Sequence, residues 1–404
     1  MQIRPILSAL ARHRASTLLI ALEIALACAV LCNACFLIGQ RLDNMRIDSG
    51  VDEASLAVVR LDGYDDQSAS DLNARVQAGL AAIPGVQSVS IINAVPFGPH
   101  AGVAGITLDA TGEHSGGVVD FYVGAPGSLE ALGAQVVAGR APQADDYQPV
   151  PDFVPADASV LVTRVLAAHL WPGANPLGRE FWMGKYHFRV MGVLDHLAIA
   201  QPGSRGANSA EWSVFVPGQP GPHLIGNYLL RADPQDLPRI MQAARDTIAR
   251  VAPEVVLDEE QSVPLTELRE RYFRKDRAMA GLLVGVIVAL LLVTALGIVG
   301  LTSFWVSQRR RQIGVRRALG ATRGDILRYF QTENFLIVSA GIVMGMLLAY
   351  GLNQGLMQRY ELARLPAIYL PVGAVVLWLL GQVAVLAPAR RAASVPPAEA
   401  TRSI

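Results

Sequence analysis

Apolar residues gather in four blocks, 16–39, 279–305, 335–353 and 367–387, each of roughly 20 residues and so long enough for a helix to cross ~30 Å of hydrocarbon. Between the first two blocks the pattern changes to that of a soluble domain. Period-2 alternation predicts strands at 55–62 and 86–93 around a helix at 67–83, and the order strand, helix, strand returns at 224–231, 236–251 and 254–257. Two β-α-β halves of this kind predict a split ferredoxin-like sandwich. Between them, short strands at 105–108, 118–123, 159–162, 187–193 and 213–216 are separated by Gly- and Pro-rich turns, which predicts a second, mostly β subdomain inserted at 97–218.

The predicted fold class is therefore an α+β membrane protein, with four transmembrane helices and a large outer domain between the first and second. The boundaries follow: an N-terminal stub at 1–15, spans at 16–39, 279–305, 335–353 and 367–387, a stalk at 40–54, the outer domain at 55–278, a basic loop at 306–334, an outer loop at 354–366 and a tail at 388–404. Within the outer domain, 263–278 is expected to be a stalk helix. Its stretch 267–279, ELRERYFRKDRAM, has no Gly or Pro and is expected to run unbroken into the second span, as residues 40–46 extend the first. Two such rods side by side would carry a push across the membrane.

Composition agrees, with 52% hydrophobic and 17% charged residues among 404. The formal net charge of zero conceals a polarity that sets orientation. The stub carries Arg4, Arg12 and Arg14 with no acid, and residues 308–330 carry seven arginines against Asp325. The tail adds Arg390, Arg391 and Arg402 against Glu399. All three face the cytoplasm by the positive-inside rule. Residues 41–277 hold 19 Lys+Arg against 29 Asp+Glu, a net charge of −10, so the acidic domain lies outside.

The first apolar block is too long for a signal-peptide core, and no small-x-small cleavage site follows it. Cys28, Cys32 and Cys35, the chain's three cysteines, form a small-volume stripe on one side of that helix. The outer domain thus folds without disulfides. Glu23 falls on the opposite side, and a carboxylate at that depth is expected to face protein or water as a packed, hydrogen-bonded group. Asn33 is expected to hydrogen-bond between helices. Gly281 with Gly285, and Gly341 with Gly345, form Gly-x-x-x-Gly pairs that point to close helix association in a dimer.

The basic loop has a second pattern. Apolar Ile313, Val315, Ala318, Leu319 and Ile326 alternate with Arg316, Arg317, Arg323 and Arg328, predicting a helix with one greasy face laid down and another offered to a partner. The stretch Ile313, Gly314, Val315, Arg316, Arg317, Ala318, Leu319, Gly320, Ala321 and Thr322 is the candidate coupling element.

That IGVRRALGA loop, the tail PARRAASVPPAEATR and the outer-domain phrases VVAGRAP (136–142), LAAHLWPGANPLGREF (166–181), FRVMGVLDH (188–196) and VFVPGQP (214–220) resemble the permease subunit of the MacB/FtsX/LolC group of ABC transporters over nearly the whole chain. The resemblance implies a bacterial inner-membrane protein working by mechanotransmission. It implies a porter-like subdomain at 55–96 and 219–262 with a Sabre-like insertion at 97–218. Expected partners are a dimer of ABC ATPase subunits docked on 314–322, a second copy of the permease, a periplasmic adaptor, a TolC-like outer-membrane channel and the lipid bilayer, with no nucleic acid.

One departure matters. Full-length MacB carries its nucleotide-binding domain on the same chain, but no Gly-x-x-x-x-Gly-Lys-[Ser/Thr] occurs here: Gly184-Lys185 is followed by Tyr186, and Arg179 stands where the first glycine belongs. The chain is expected to be a non-catalytic subunit that binds no cofactor, with ATP and magnesium on the partner ATPase. No His-x-x-x-His spacing or Gly-x-Ser-x-Gly elbow suggests other catalysis. The resemblance favours an export permease, and its alternatives are an FtsX-like transmitter that activates a periplasmic partner or LolC-like lipoprotein extraction.

Overall fold

The structure, a computed structural model, describes residues 14–99, 101–204, 209–360 and 365–394. The expectations for the N-terminal stub before residue 14, for part of the outer loop 354–366 and for the tail beyond 394 lie outside the described residues. The chain forms two compact units: Asp43–Lys275, and a membrane unit made of the chain up to Leu42 together with the part from Asp276.

The first helix, α1 (Arg14–Met45), continues well past the apolar block, because Ala, Leu, Gln and Arg around residues 37–42 keep helix propensity after hydrophobicity ends. In the outer unit, β1 (Leu56–Asp62), α2 (Ala69–Ala81) and β2 (Val86–Ile91) form one half, and β11 (Asn227–Ala232), α5 (Leu237–Val251) and β12 (Val256–Leu257) the other. Their strands make a four-stranded antiparallel sheet in the order β12-β1-β11-β2.

Both helices bury one stripe, Leu72, Val76 and Leu80 on α2 and Ile240, Met241, Ala244 and Ile248 on α5. They cover the face of the sheet that carries Ala57, Val59 and Leu61. Each fully buried Leu, Ile or Val there contributes about 1.5–3 kcal/mol. Asn73, a buried amide in this layer, is satisfied: it donates to the Leu224 carbonyl at 3.2 Å and accepts from the Tyr228 hydroxyl at 2.8 Å. The opposite face, with Leu56 and Val58, is covered by Phe97, Leu265, Leu268 and Phe273. Central β1 is therefore buried on both sides rather than on alternate residues.

The inserted segment holds β3 (Gly102–Thr107), β4 (Ser115–Gly124), β5 (Val136–Gly139), β6 (Gln148–Pro149), β7 (Asp157–Thr163), β8 (Glu180–Met183), β9 (Tyr186–Leu194) and β10 (Ser213–Gln219), with short helices α3 (Ser128–Leu132) and α4 (Arg164–Leu170). They form one sheet in the order β4-β3-β8-β9-β7-β10-β6, with β5 on β9. A parallel pairing of β10 with β4, Phe215 opposite Tyr122, closes six strands into a ring. Aromatic rings fill it: Phe188 lies 5.1 Å from Phe181 and 5.3 Å from Phe121.

One expectation fails at the exit from this unit. Residues 267–279 are not one helix: α6 (Leu265–Tyr272) stops at Phe273, and α7 (Arg274–Gln308) starts anew. Phe273 takes φ −86° and ψ 7°, in the sparsely allowed bridge region. Its ring is buried at 2% exposure beside Phe97, so tertiary packing breaks a helix that local propensity would continue.

The membrane unit contains α1, α7, α8 (Arg310–Ala318), α9 (Arg323–Tyr360) and α10 (Tyr369–Ala393). Four of these, all but α8, are long and apolar enough to cross a membrane. A Cβ on Gly341 would lie 2.8 Å from Ile24 Cβ, one on Gly345 2.5 Å from Cys28 Cβ, and one on Gly373 2.7 Å from Cys32 Sγ. The cysteine side of α1 thus packs on α9 and α10. The pair Gly341 and Gly345 serves contacts inside the chain, which corrects its reading as a dimer motif, whereas a Cβ on Gly281 or Gly285 would meet nothing within 4 Å among the described residues.

Candidate coupling site

The basic loop is a built structure. α7 ends at Gln308, Arg309 makes a one-residue break, and α8 follows. α8 buries Ile313 and Gly314 in a small core with Val306, Ile326, Phe330, Ala389 and Ala392, and Arg317 Nη1 donates to the Ala393 carbonyl at 3.0 Å. The other side is bare: Val315 is 48% and Leu319 83% exposed. The Arg316 guanidinium lies 5.0 Å from the Tyr329 ring centroid.

The end of the motif is capping chemistry. Gly320 N–H donates to the Arg317 carbonyl and Ala321 N–H to the Arg316 carbonyl, both at 3.1 Å, the paired bonds of a Schellman stop. Gly320 has φ +100°, a conformation that side chains with a Cβ resist. Two residues on, Thr322 and Asp325 cap α9 reciprocally. Asp325 N–H donates to Thr322 Oγ1 at 3.2 Å, and Thr322 N–H to Asp325 Oδ2 at 3.0 Å. The ten candidate residues therefore divide by geometry. Ile313, Gly314 and Arg317 anchor the element, Gly320, Ala321 and Thr322 turn the chain, and Val315, Arg316, Ala318 and Leu319 lie on its outer surface.

Three residues that the sequence pattern did not single out hold this element from below. Arg309 Nη1 lies 3.0 Å from each carboxylate oxygen of Glu333, and the side chains are only 13% and 2% exposed. The next residue, Asn334, donates to the Gly381 carbonyl of α10 at 2.9 Å. The available signal was an acid and an amide at the head of an apolar block, opposite an arginine at the tail of another.

Inside the spans, Glu23 sets both carboxylate oxygens 2.7 Å from where a Gly297 Cβ would be, so α7 meets α1 at a glycine just where the carboxyl packs. Asn33 donates to the Ala29 carbonyl at 2.9 Å and, between helices, to the Ala349 carbonyl at 3.4 Å. Further out, Arg41 and Asp276 pair at 2.6 Å and join α1 to α7.

A large α/β domain set between the first and second of four apolar helices, with a short amphipathic helix between the second and third, defines a class of membrane permease. The chain belongs to the MacB family of ABC transporter permeases: the MacB-like periplasmic core domain matches residues 17–261 and the FtsX-like permease C-terminal domain matches residues 284–397. It is 29% identical over 268 residues to the macrolide export ATP-binding/permease protein MacB of Nitrobacter winogradskyi, covering 62% of this chain and 39% of that protein. It is 29% identical over 262 residues to the pyoverdine export ATP-binding/permease protein PvdT of Pseudomonas entomophila, covering 61% and 38%. To the ABC transporter permease YknZ of Bacillus subtilis it is 26% identical over 262 residues, covering 62% and 63%. The match thus spans about two fifths of the two export proteins and just under two thirds of YknZ.

Proposed function

We propose that this chain is the permease subunit of an export ABC transporter in the bacterial inner membrane, in which two copies work with two copies of a separate ATPase. ATP and magnesium bind on the ATPase. Its closure pushes α8, and the movement passes through the spans to the periplasmic domain, which expels substrate toward an adaptor and a TolC-like outer-membrane channel. The observation that carries this reading is Leu319, 83% exposed at the end of a helix whose other side is buried. A lone exposed leucine needs no explanation, but one beside exposed Val315 on an anchored arginine-rich helix fits an apolar groove in a partner.

The sheet order β12-β1-β11-β2 with α2 and α5 on one face supports the porter-like, ferredoxin-type reading, and the closed β ring supports a separate Sabre-like insertion. The break at Phe273 confines the rigid rods to α1 and α7, which Arg41 and Asp276 tie together.

The test is Leu319→Asp, assayed with the macrolide and pyoverdine substrates named for the relatives. Expression and membrane insertion are expected to stay at the wild-type level while ATP-driven export falls at least about tenfold, the loss expected when a charge must be desolvated in an apolar groove. Wild-type export by that variant removes the reason for placing the ATPase here.

A further inference from the structure

The break at Arg309 looks like a hinge between α7 and α8, yet its side chain is pinned. Arg309 reaches the carboxylate of Glu333 with both oxygens at 3.0 Å, and Glu333 is 1% exposed. Next to it, Asn334 is held by the Gly381 carbonyl, and a Cβ on Gly381 would lie 2.9 Å from Val338 Cγ2 and 3.2 Å from Asn334 Nδ2. Glycine is what lets α10 come that close. Two successive residues of α9 thus grip the α7–α8 junction on one side and α10 on the other.

This rests on the permease reading above. We propose that the Arg309–Glu333 pair is the joint that makes α8, α9 and α10 move as one body, so that a push on Leu319 is delivered to the third and fourth spans rather than absorbed at the break. The physical reason is the penalty for separating the pair. Pulling the guanidinium away from a carboxylate this buried removes its cationic partner where little water can take its place, so bending at residue 309 is opposed. Displacing α8 while keeping the pair moves α9 with it, and the Asn334–Gly381 bond carries α10 along. Arg309 and Glu333 act as positioning residues, remote from nucleotide and substrate.

The test uses the full chain with its ATPase. The outer unit has no cysteine, so Ser70→Cys on the exposed surface of α2, with half-buried Cys35 replaced by alanine, gives one spin-label site per copy. The distance between the two copies is read without nucleotide and with ADP plus vanadate. The unmodified pair is expected to give a nucleotide-dependent distance change. Glu333→Gln is expected to reduce that change at least twofold. So is the double variant Arg309→Gln/Glu333→Gln, which removes both charges together. In both, ATPase binding and hydrolysis should stay within twofold of the parent. A double variant that moves like the parent overturns the joint. So does one that loses the ATPase, since that places the pair in docking. If the parent itself shows no change, the permease reading fails first.

Discussion

The Arg269 guanidinium lies 4.9 Å from the ring centroid of Phe97, and Phe97 has φ +64°, the sole positive value among the described non-glycine residues. A left-handed phenylalanine costs roughly 1–2 kcal/mol, so the surroundings must hold it there. They do: its ring packs on Phe273 at 5.6 Å and its N–H donates to the Ala200 carbonyl at 2.8 Å. Arg269 also donates to the Met45 and Ile47 carbonyls at 2.8 Å each and pairs with Glu53 at 2.5 Å. One side chain on α6 thereby fastens the segment by which the chain enters the outer unit to the helix by which it leaves.

Arg269→Ala is expected to lower the stability of the outer unit by about 2–3 kcal/mol, because it takes the cation from the half-buried Glu53 carboxylate, leaving it the Ser49 hydroxyl, and removes a charged donor from two carbonyls. Lysine gathers its three donors on one nitrogen, so it cannot occupy both the Nη1 and the Nη2 positions that serve Glu53 and the two carbonyls, and it should recover less than half of the loss. Urea unfolding in detergent of the full chain with Trp305 and Trp378 replaced by phenylalanine, followed by the fluorescence of the remaining Trp171, Trp182 and Trp212, measures this. An alanine variant with an unchanged midpoint would show that the entry and exit segments are held by apolar packing alone.

For Glu23, packing against Gly297 leads us to expect that the shape of the side chain matters more than its charge. Glu23→Gln should export substrate within about twofold of the wild type, as an isostere that keeps the contact, while Gly297→Leu should insert poorly because the carboxyl already fills that space. Side-by-side export assays decide. A large loss in the glutamine variant would assign the carboxyl to proton or cargo handling.

The glycines separate by what they meet. Gly341→Leu and Gly345→Leu should each lower the thermal midpoint of the detergent-solubilised chain, since α1 backbone and side chains lie within 3 Å of the added Cβ. Gly281→Leu and Gly285→Leu should not, because an added Cβ there meets no other helix within 4 Å among the described residues. Equal losses at all four would mean that α7 also packs through its glycines in the isolated chain.

Asp146 makes the stability of the outer unit depend on pH. Arg140 hydrogen-bonds its carboxylate, with Nη2 to Oδ1 at 2.8 Å, and the Gln143 N–H adds a bond at 2.7 Å, which together hold the carboxyl below the ordinary aspartate range. A depressed folded value means that the stabilisation is present above the unfolded value near 4 and is lost as pH falls through the folded one. Asp146→Asn should therefore destabilise the outer unit at pH 7, and the difference should shrink below about pH 4. Denaturation at both pH values reads it directly, and a difference that grows in acid would reverse the sign of the argument.

What could be read from the sequence followed from how locally each feature is encoded. Four apolar blocks and two β-α-β halves each carry their period in a single stretch, so α1, α7, α9, α10 and the four-stranded sheet were legible. Strands β5, β6 and β8 were not, since two to four residues such as Gln148–Pro149 show no period. The break at Phe273 is invisible in ELRERYFRKDRAM because what makes it is the burial of one ring among distant partners. In the candidate site the amphipathic α8 was legible, but docking was expected of all ten residues. Gly320 and Thr322 were open to recognition as cap residues, Gly at a helix stop and Thr three before Asp325. The Arg309–Glu333 pair joins residues 24 apart in sequence, which no local pattern reveals.

The central claim, that the outer side of α8 seats an ATPase, is tested most directly by photo-crosslinking from single benzoylphenylalanine residues placed at Leu319 and at Ile313 in membranes of the native host. Leu319, 83% exposed, should crosslink an ATP-binding subunit, and Ile313, 5% exposed, should crosslink only within the chain. Capture of the ATPase from Ile313 but not from Leu319, or from neither, would contradict the account.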